Sequence, residues 1–456
     1  MRLERKGARG WLAEARAAVP EAAVELTVEE TDAELTRFAN NAIHQHVADA
    51  GLALSVRTQW QQRTARATTH RLDAIGVRQA AERALGLTRS QAEDPDLLPM
   101  ASPPASPSGA AWDARWDAAT AAITPGQRAD TVAAMVEVAR EAGFTAAGIC
   151  STQRQRLAIL NSQGLEAVYG ATSAEFSITM LGANSSGWAK GSSCRWRNLD
   201  PVAGARIAAA KAGASQDPIE LPPGRYVTIL EPAAVLDLLG FLMWDFGGLG
   251  VLDQRSFLSG RIGAKLFGDN ISITDDAYHL LQTGLPFDGE GSPRQVVPLV
   301  ERGWVRNLVY ARQSAAQWNQ RQAGAAAAPT GHGFPLPNEY GEAPLNVVVA
   351  GGDVPVERMI AETERGILVT RLWYIREVDP YQKILTGMTR DGTFLIENGR
   401  LQRGVRNFRF NQNMVELLNQ VEALGPAVRA SGEESFDMVV PPLKVRGFNF
   451  TEVTRF

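Results

Sequence analysis

The run from Ala233 to Trp244 (AAVLDLLGFLMW) restricts the fold more than any other stretch of the chain. It is apolar on nearly every face, and Asp237 is its one charge. A helix of that kind has no side suited to water, so it must lie inside a large domain. The residues before it fit this reading. Val227, Ile229 and Leu230 form a β-branched, apolar strand pattern, and Pro232 stands where a first helical turn tolerates proline. Gly247 and Gly248 are expected to end the helix, with Arg255–Ser256–Phe257 leading into a helical or looped segment.

A core able to bury such a helix needs chain length and apolar mass, and both are present. At 456 residues two or three domains are expected. Hydrophobic residues make up 45% and charged residues 21%, which excludes global disorder. With 46 basic against 50 acidic residues the net charge is -4, so neither a nucleic-acid nor a membrane-surface partner is indicated. Cys150 and Cys194 are the only cysteines, which excludes a disulfide scaffold and suits a reducing compartment. The opening MRLERKGARGW lacks the apolar centre of a signal peptide, and no run reaches membrane-spanning length. A cytoplasmic location is the expectation.

Two proline-rich stretches divide the chain. Before the first, Ser102–Gly109 (SPPASPSG), residues 10–19 read as an amphipathic helix and residues 23–27 as a strand. Asn40–Asn41 is a turn signal between two strands, and Gly51–Thr58 and Gln62–Thr69 alternate as paired antiparallel strands do. Leu72–Leu87 reads as a helix, so residues 1–101 are expected to be an α/β domain. Residues 110–216 are expected to be a second one. There Thr124 caps a helix that begins at Pro125. Four strands follow, Phe144–Ile149, Leu157–Asn161, Gly164–Thr172 and Glu175–Leu181, with a hairpin turn at Asn161–Gly164. Asp217–Gly224 is the second linker. Residues 225–456 carry many strand patterns, among them Gly366–Ile375, Lys383–Arg390, Gly392–Glu397 and Leu401–Phe410. Only Pro355–Arg365 and Asn413–Ala423 add helices to the buried one. The fold class expected is α+β, with a large β-rich C-terminal domain.

Histidine is the scarcest chemical signal, with five in the chain. His44 and His46 would share one face of a strand, but no third ligand lies close in sequence. His70 and His279 stand alone. His332 sits between Gly331 and Gly333, where the missing side chains let backbone approach a ligand or simply make a turn. Catalytic zinc needs three protein ligands and an open position, and neither His-Glu-x-x-His nor His-Glu-x-x-x-His occurs. Cys194 has no base that the sequence can place beside it. Gly247–Gly250 lacks the lysine of a phosphate loop. Arg390 and Asp391, at the end of a strand in TRDGTFLIENG, could orient a substrate backbone or form a surface turn.

Several collinear stretches resemble the TldD/PmbA family of peptidase subunits. These are Arg37–Gln45 (RFANNAIHQ), Asn161–Tyr169 (NSQGLEAVY), Arg255–Gly263 (RSFLSGRIG), Asp275–Asp276, Phe287–Gly291 (FDGEG), Pro329–Gly333, Gly366–Thr370 (GILVT) and Thr389–Gly399. The resemblance implies a three-part chain and a heterodimer. One subunit, TldD-like, carries His-Glu-x-x-x-His and a later cysteine that bind zinc. The other, PmbA-like or TldE-like, lacks them and completes a chamber in which unfolded peptides are cut. Here Leu238, Leu239 and Gly240 occupy the helix where the zinc motif would stand, and residues 225–456 contain no cysteine. The resemblance therefore implies the PmbA-like subunit, with no cofactor of its own, zinc in a TldD-like partner and a peptide as substrate. Arg255, His332, Arg390 and Asp391 are the residues expected to line the chamber. A homodimeric protein that binds a peptide or an intermediate without cutting it is the alternative, and metal-independent hydrolysis through His332 and Cys194 is a third.

Overall fold

The computed structural model describes residues 5–103, 115–322 and 326–454. Most of the linker expected at Ser102–Gly109 falls outside the described residues. The described residues form a mixed α+β arrangement with three sheets.

The first sheet has six antiparallel strands in the spatial order Arg63–Thr69, Ala42–Trp60, Ala23–Ala39, Thr145–Asn161, Glu166–Leu181, Ser186–Ser193. Residues 1–101 and 110–216 thus contribute three strands each to one continuous sheet. Its turns are those the sequence signals: Asn40 and Asn41 take φ of 50° and 59°, the left-handed region that asparagine tolerates. The strands run much further than the apolar pattern suggests. Phe144–Ile149 and Leu157–Asn161 belong to the single strand Thr145–Asn161, and Gly164–Thr172 and Glu175–Leu181 to the single strand Glu166–Leu181. Charge complementarity carries the polar middle. Arg156 stands opposite Glu30 and pairs with it at 3.1 Å, and Arg154 stands opposite Asp32 and pairs with it.

Helices cover this sheet in two groups. Arg5–Ala18 and Ala74–Ser90 close one core around Leu26, Val56 and Val77. Pro125–Glu141 and Pro201–Ala214 close another around Phe38, Phe176 and Ile178. The Thr124 cap is realised as a capping box with Gln127.

The C-terminal part opens with the strand Gly224–Leu230. It pairs with Arg365–Asp379, which pairs with Ile384–Glu397, then Phe408–Asn413, then Leu443–Val453, which returns to Gly224–Leu230. Five strands therefore close into a barrel, which leaves no open edge in that circuit. Phe408, Phe410, Phe448 and Phe450 are fully buried and touch ring to ring, with centroids 4.7–5.3 Å apart. Beside the barrel stands a sheet of six short strands, Trp304–Val305, Val297–Glu301, Ile273–Asp275, Val347–Val349, Met438–Val440 and Val428–Ala430.

The helix Pro232–Met243 packs between the barrel strand Arg365–Asp379 and the short strands Val428–Ala430 and Met438–Val440. Every residue from Ala233 to Gly240 is buried, so the apolar run lies where its composition requires. Among the described residues no helix is long and apolar enough to cross a membrane.

Four local expectations change. Thr389–Gly399 is not a strand, turn and strand. Thr389–Glu397 lies within the single strand Ile384–Glu397, bulged where Asp391 takes φ 52° and Gly392 φ 130°, and Asn398–Gly399 form the turn after it. Leu401–Phe410 divides into Arg400–Gly404 and Phe408–Asn413. The helices expected at Pro355–Arg365 and Asn413–Ala423 shorten to Val356–Ala361 and Met414–Asn419, because Arg365 and Val421 are drawn into strands. Gly247 does not end helical structure but caps a further turn, Gly248–Leu252.

Candidate functional site

The site is built outward from Asp237, the lone charge of the buried helix. Its side chain has no exposed surface. Oδ1 accepts the backbone N–H of Glu434 at 3.1 Å, and Oδ2 has no partner among the described residues. Burial pushes the carboxyl up to about 7, against the hydrogen bonds from the 433–434 backbone that favour its charge.

Two glycines let the loop 431–437 lie on the helix at that point. A Cβ on Gly432 would come 2.2 Å from Asp237 Oδ1, and a Cβ on Gly240 would come 1.8 Å from Ser435 Oγ and 2.5 Å from its Cβ. In an open helix Gly→Ala stabilises by about 1 kcal/mol. Here the sign reverses: Gly240→Ala should lower stability by about 1–3 kcal/mol, since Ser435 Cβ cannot clear without backbone movement. Urea unfolding of G240A, S435G and the double variant checks this, and the double variant should recover most of the loss.

The loop in turn holds the wall of a cavity. Glu434 Oε1 accepts the backbone N–H of Tyr374 at 2.7 Å. Tyr374 takes φ 55° at an irregularity in the strand Arg365–Asp379 and stands 53% exposed. Two hydrogen bonds through Glu434 therefore connect Asp237 to the cavity.

That cavity, about 1100 Å³, lies between the barrel and the turn 181–186 of the first sheet. Asp391, on its wall, forms a buried ion pair with Arg371 behind it. The Arg371 guanidinium also lies 4.9 Å from the Trp188 ring and 5.5 Å from the Trp373 ring. Arg390 lies 4.7 Å over the outer side of Trp373, a cation–π arrangement. Arg406 and Arg409 line the cavity as exposed side chains with Asn407 between them.

Of the four residues expected to line one chamber, the structure brings Arg390 and Asp391 together here. Arg255 is elsewhere, exposed and paired with Asp253 at 3.1 Å. His332 is not on the wall of this cavity. Its side chain is fully buried, and Nε2 meets Asp275 Oδ1 at 2.9 Å. Burial holds the imidazole below its usual range, so it is neutral. Burial would raise Asp275, but His332 and the Asn346 N–H hold it ionised. Nδ1 lies 2.9 Å from both the carbonyl oxygen and the hydroxyl of Thr330. The pair fastens the loop 329–333 to the strand Ile273–Asp275 and leaves no face for a substrate. Cys150 is buried as well, its thiol pushed up to about 12 by burial, far from the thiolate a nucleophile needs.

Sequence reasoning missed Trp188, Arg371, Trp373, Tyr374, Arg406 and Arg409. Trp373–Tyr374 at the end of a recognised strand was the available signal. Long-range pairing brings Arg406 and Arg409 to the cavity wall, and Trp188 and Arg371 to the packing behind it.

A zinc ion does not fit the helix. Leu238, Leu239 and Gly240 offer no ligand, and one Asp237 oxygen already accepts an N–H. Among the described residues no group of three or more His, Cys, Asp or Glu is placed to hold a metal ion.

Comparison with known proteins bears on the family and the fold. A family model described as the PmbA/TldA metallopeptidase C-terminal domain matches residues 223–452. The crystal structure of TldE from Thermococcus kodakarensis superposes with a TM-score of 0.86, covering 98% of this chain and 100% of that one at 19% identity. An uncharacterized protein of Methanocaldococcus jannaschii is 38% identical over 103 residues, which is 22% of this chain and 24% of that protein. A metalloprotease of Methanothermobacter thermautotrophicus is 22% identical over 222 residues, 46% of this chain and 44% of that protein. The matched region thus spans less than half the length of either relative.

Proposed function

The chain belongs to the PmbA/TldD metallopeptidase family, and we propose that it is the non-zinc subunit of a two-chain peptidase. A TldD-like partner bearing His-Glu-x-x-x-His would supply the metal and the hydrolytic water. This chain would supply a chamber wall, a dimer surface and the grip that sets the register of an unfolded peptide. The cytoplasm is the compartment proposed for both.

One observation carries the reading. The helix Pro232–Met243 is packed in the C-terminal domain but presents leucine, glycine and one carboxylate that is buried and partly satisfied by backbone. Hydrolysis at neutral pH needs a nucleophile stronger than water, which zinc provides by lowering the pKa of bound water. Nothing on this helix can hold that ion, so the chemistry is assigned to a second polypeptide. The cavity with Trp373, Arg390 and the Arg371–Asp391 pair supports a binding role for this one.

The test is co-expression with a family member that carries the zinc motif. A mixed complex should form, and it should cut an unfolded peptide in a manner abolished by chelator, while each chain alone stays inactive. The reading fails if this chain, purified alone with its metal content measured, hydrolyses peptides at an ordinary enzymatic rate. A stable homodimer that binds peptide and ignores the zinc-bearing relative would replace it with a pure binding role.

A further inference from the structure

We infer that the 1100 Å³ cavity between the barrel and the first sheet is a carboxylate-recognition pocket, which holds the acidic end of an extended peptide. The inference rests on the peptide-handling role proposed above and names the chemistry of the ligand.

Its charge inventory is the first argument. Five charged residues line the cavity: Arg390, Arg406, Arg409, Asp217 and Asp391. Asp391 is already committed to Arg371 behind the wall, and lies 3.6 Å from Arg390. Asp217 Oδ1 accepts a hydrogen bond from Asn184 at 2.7 Å. Arg406 and Arg409 have no ion-pair partner among the described residues. Glu452 is the register partner of Arg409 on the neighbouring strand, yet no ion pair joins them. The cavity therefore carries an excess of positive charge that the protein itself does not neutralise.

The arrangement of those arginines is the second. Arg406 and Arg409 are on the wall formed as the chain enters the strand Phe408–Asn413, so barrel backbone fixes their Cα positions. Arg390 rests with its guanidinium carbon 4.7 Å from the centre of the Trp373 ring. Guanidinium groups present forked N–H donors matched to the two oxygens of a carboxylate. The Trp373 and Tyr374 rings offer apolar area for the side chain next to it, and half-buried Asn407 offers a polar edge for peptide backbone. Ligand pockets commonly measure ~300–1000 Å³, so there is room for the last few residues of a peptide. The shared chemistry is a carboxylate. A free C-terminus or an Asp or Glu side chain could supply it.

The third argument is placement. The wall residue Tyr374 is tied through Glu434 to Asp237 on the buried helix. The cavity wall and the buried helix Pro232–Met243 are thus joined by two hydrogen bonds through one residue.

The experiment compares three fluorescent peptides of one sequence: a free C-terminal acid, its C-terminal amide, and an amide with one internal Glu. Binding is followed by anisotropy on the full chain, alone and in the complex, against the exposed-site variants R406A/R409A and R406K/R409K. The free acid should bind at least tenfold tighter than the plain amide. R406A/R409A should erase that difference and leave the amide unchanged, with R406K/R409K in between. Equal affinity for acid and amide overturns the inference, as does selectivity unaffected by R406A/R409A or the failure of all three peptides to bind. Preference for the internal Glu peptide over the free acid would identify a side-chain carboxylate as the source. If the complex still cleaves in a chelator-sensitive way while this selectivity is absent, the carboxylate pocket falls and the subunit role stands. If no complex forms but selectivity is present, the reverse holds.

Discussion

Glu25→Ala should lower the stability of the folded chain by about 3–5 kcal/mol, the usual consequence of breaking a buried ion pair from one side. Glu25 lies fully buried on the strand Ala23–Ala39. Oε1 accepts Arg57 Nε at 3.0 Å and Arg66 Nη2 at 2.8 Å, and Oε2 accepts Arg57 Nη2 at 2.7 Å. Arg57 is as deeply buried, with Nη1 unpartnered. Removing the carboxylate strands a guanidinium that cannot lose its proton. The consequence reaches the C-terminal part, since Arg66 Nε donates to the carbonyl of Leu336 at 3.0 Å. Burial by itself would raise the Glu25 carboxyl, but Arg57 and Arg66 outweigh it and hold it below the ordinary 4.5. A depressed folded pKa means this stability is present above pH 4.5 and disappears as pH falls below it. Urea unfolding at pH 7 measures the loss. A shift under about 1 kcal/mol would mean the triad is an ordinary surface-strength contact. Replacing Glu25 and Arg57 together by apolar residues should recover part of it, because the fully buried guanidinium is then gone while the partly exposed Arg66 still lacks its partner.

The same triad shows why parts of this fold escape a reading of the sequence. Turn and cap signals are local: Asn40–Asn41, Asn161–Gly164 and Thr124–Pro125 each contain their own reason, and each appears where expected. The buried helix is local too, because twelve residues with one charge have no other place to go. Long polar strands are not. The segments Glu29–Ala33 and Gln153–Arg156 carry no strand pattern of their own. They become strands only because acidic residues on one meet basic residues on the other across more than a hundred positions. The candidate site divides in the same way. Arg390 and Asp391 stood out beside a glycine in an extended pattern. The bulge that turns them into a cavity needs the partner strand Arg365–Asp379, and the arginines opposite need the barrel to close. His332 stood out for its glycines, but Gly331 φ of 72° serves a backbone packed 2.2 Å from where its Cβ would meet Pro293 O, and the ring turns inward to Asp275.

Asp237→Asn should change the pH dependence of stability more than its value in acid. In the folded chain burial lifts the Asp237 carboxyl from 3.8 to about 7. A raised folded pKa contributes stability that is complete below pH 3.8 and is lost as pH rises to about 7, after which the loss is constant. Each pH unit of that gap is worth ~1.4 kcal/mol, so the loss by pH 8 is at most roughly 4 kcal/mol. Asparagine keeps the Oδ1 acceptor for the Glu434 N–H and cannot ionise. Its Nδ2 would be an unpartnered donor, but so is the hydroxyl of the protonated acid, which makes the two forms nearly equal near pH 4. The wild type should therefore lose stability relative to D237N steadily from pH 4 to pH 7. Asp288, also lifted to about 7 by burial, keeps part of the slope in both proteins, so the difference between them is the informative quantity. Ionisation of Asp237 would also set its charge against Glu434, the residue that holds Tyr374 at the cavity wall. Peptide affinity of the wild type should then weaken above pH 7 while that of D237N stays level. A constant stability difference between pH 4 and pH 8 would show that the helix carboxylate titrates as an exposed one does, and that water reaches the seam between the helix and the loop 431–437.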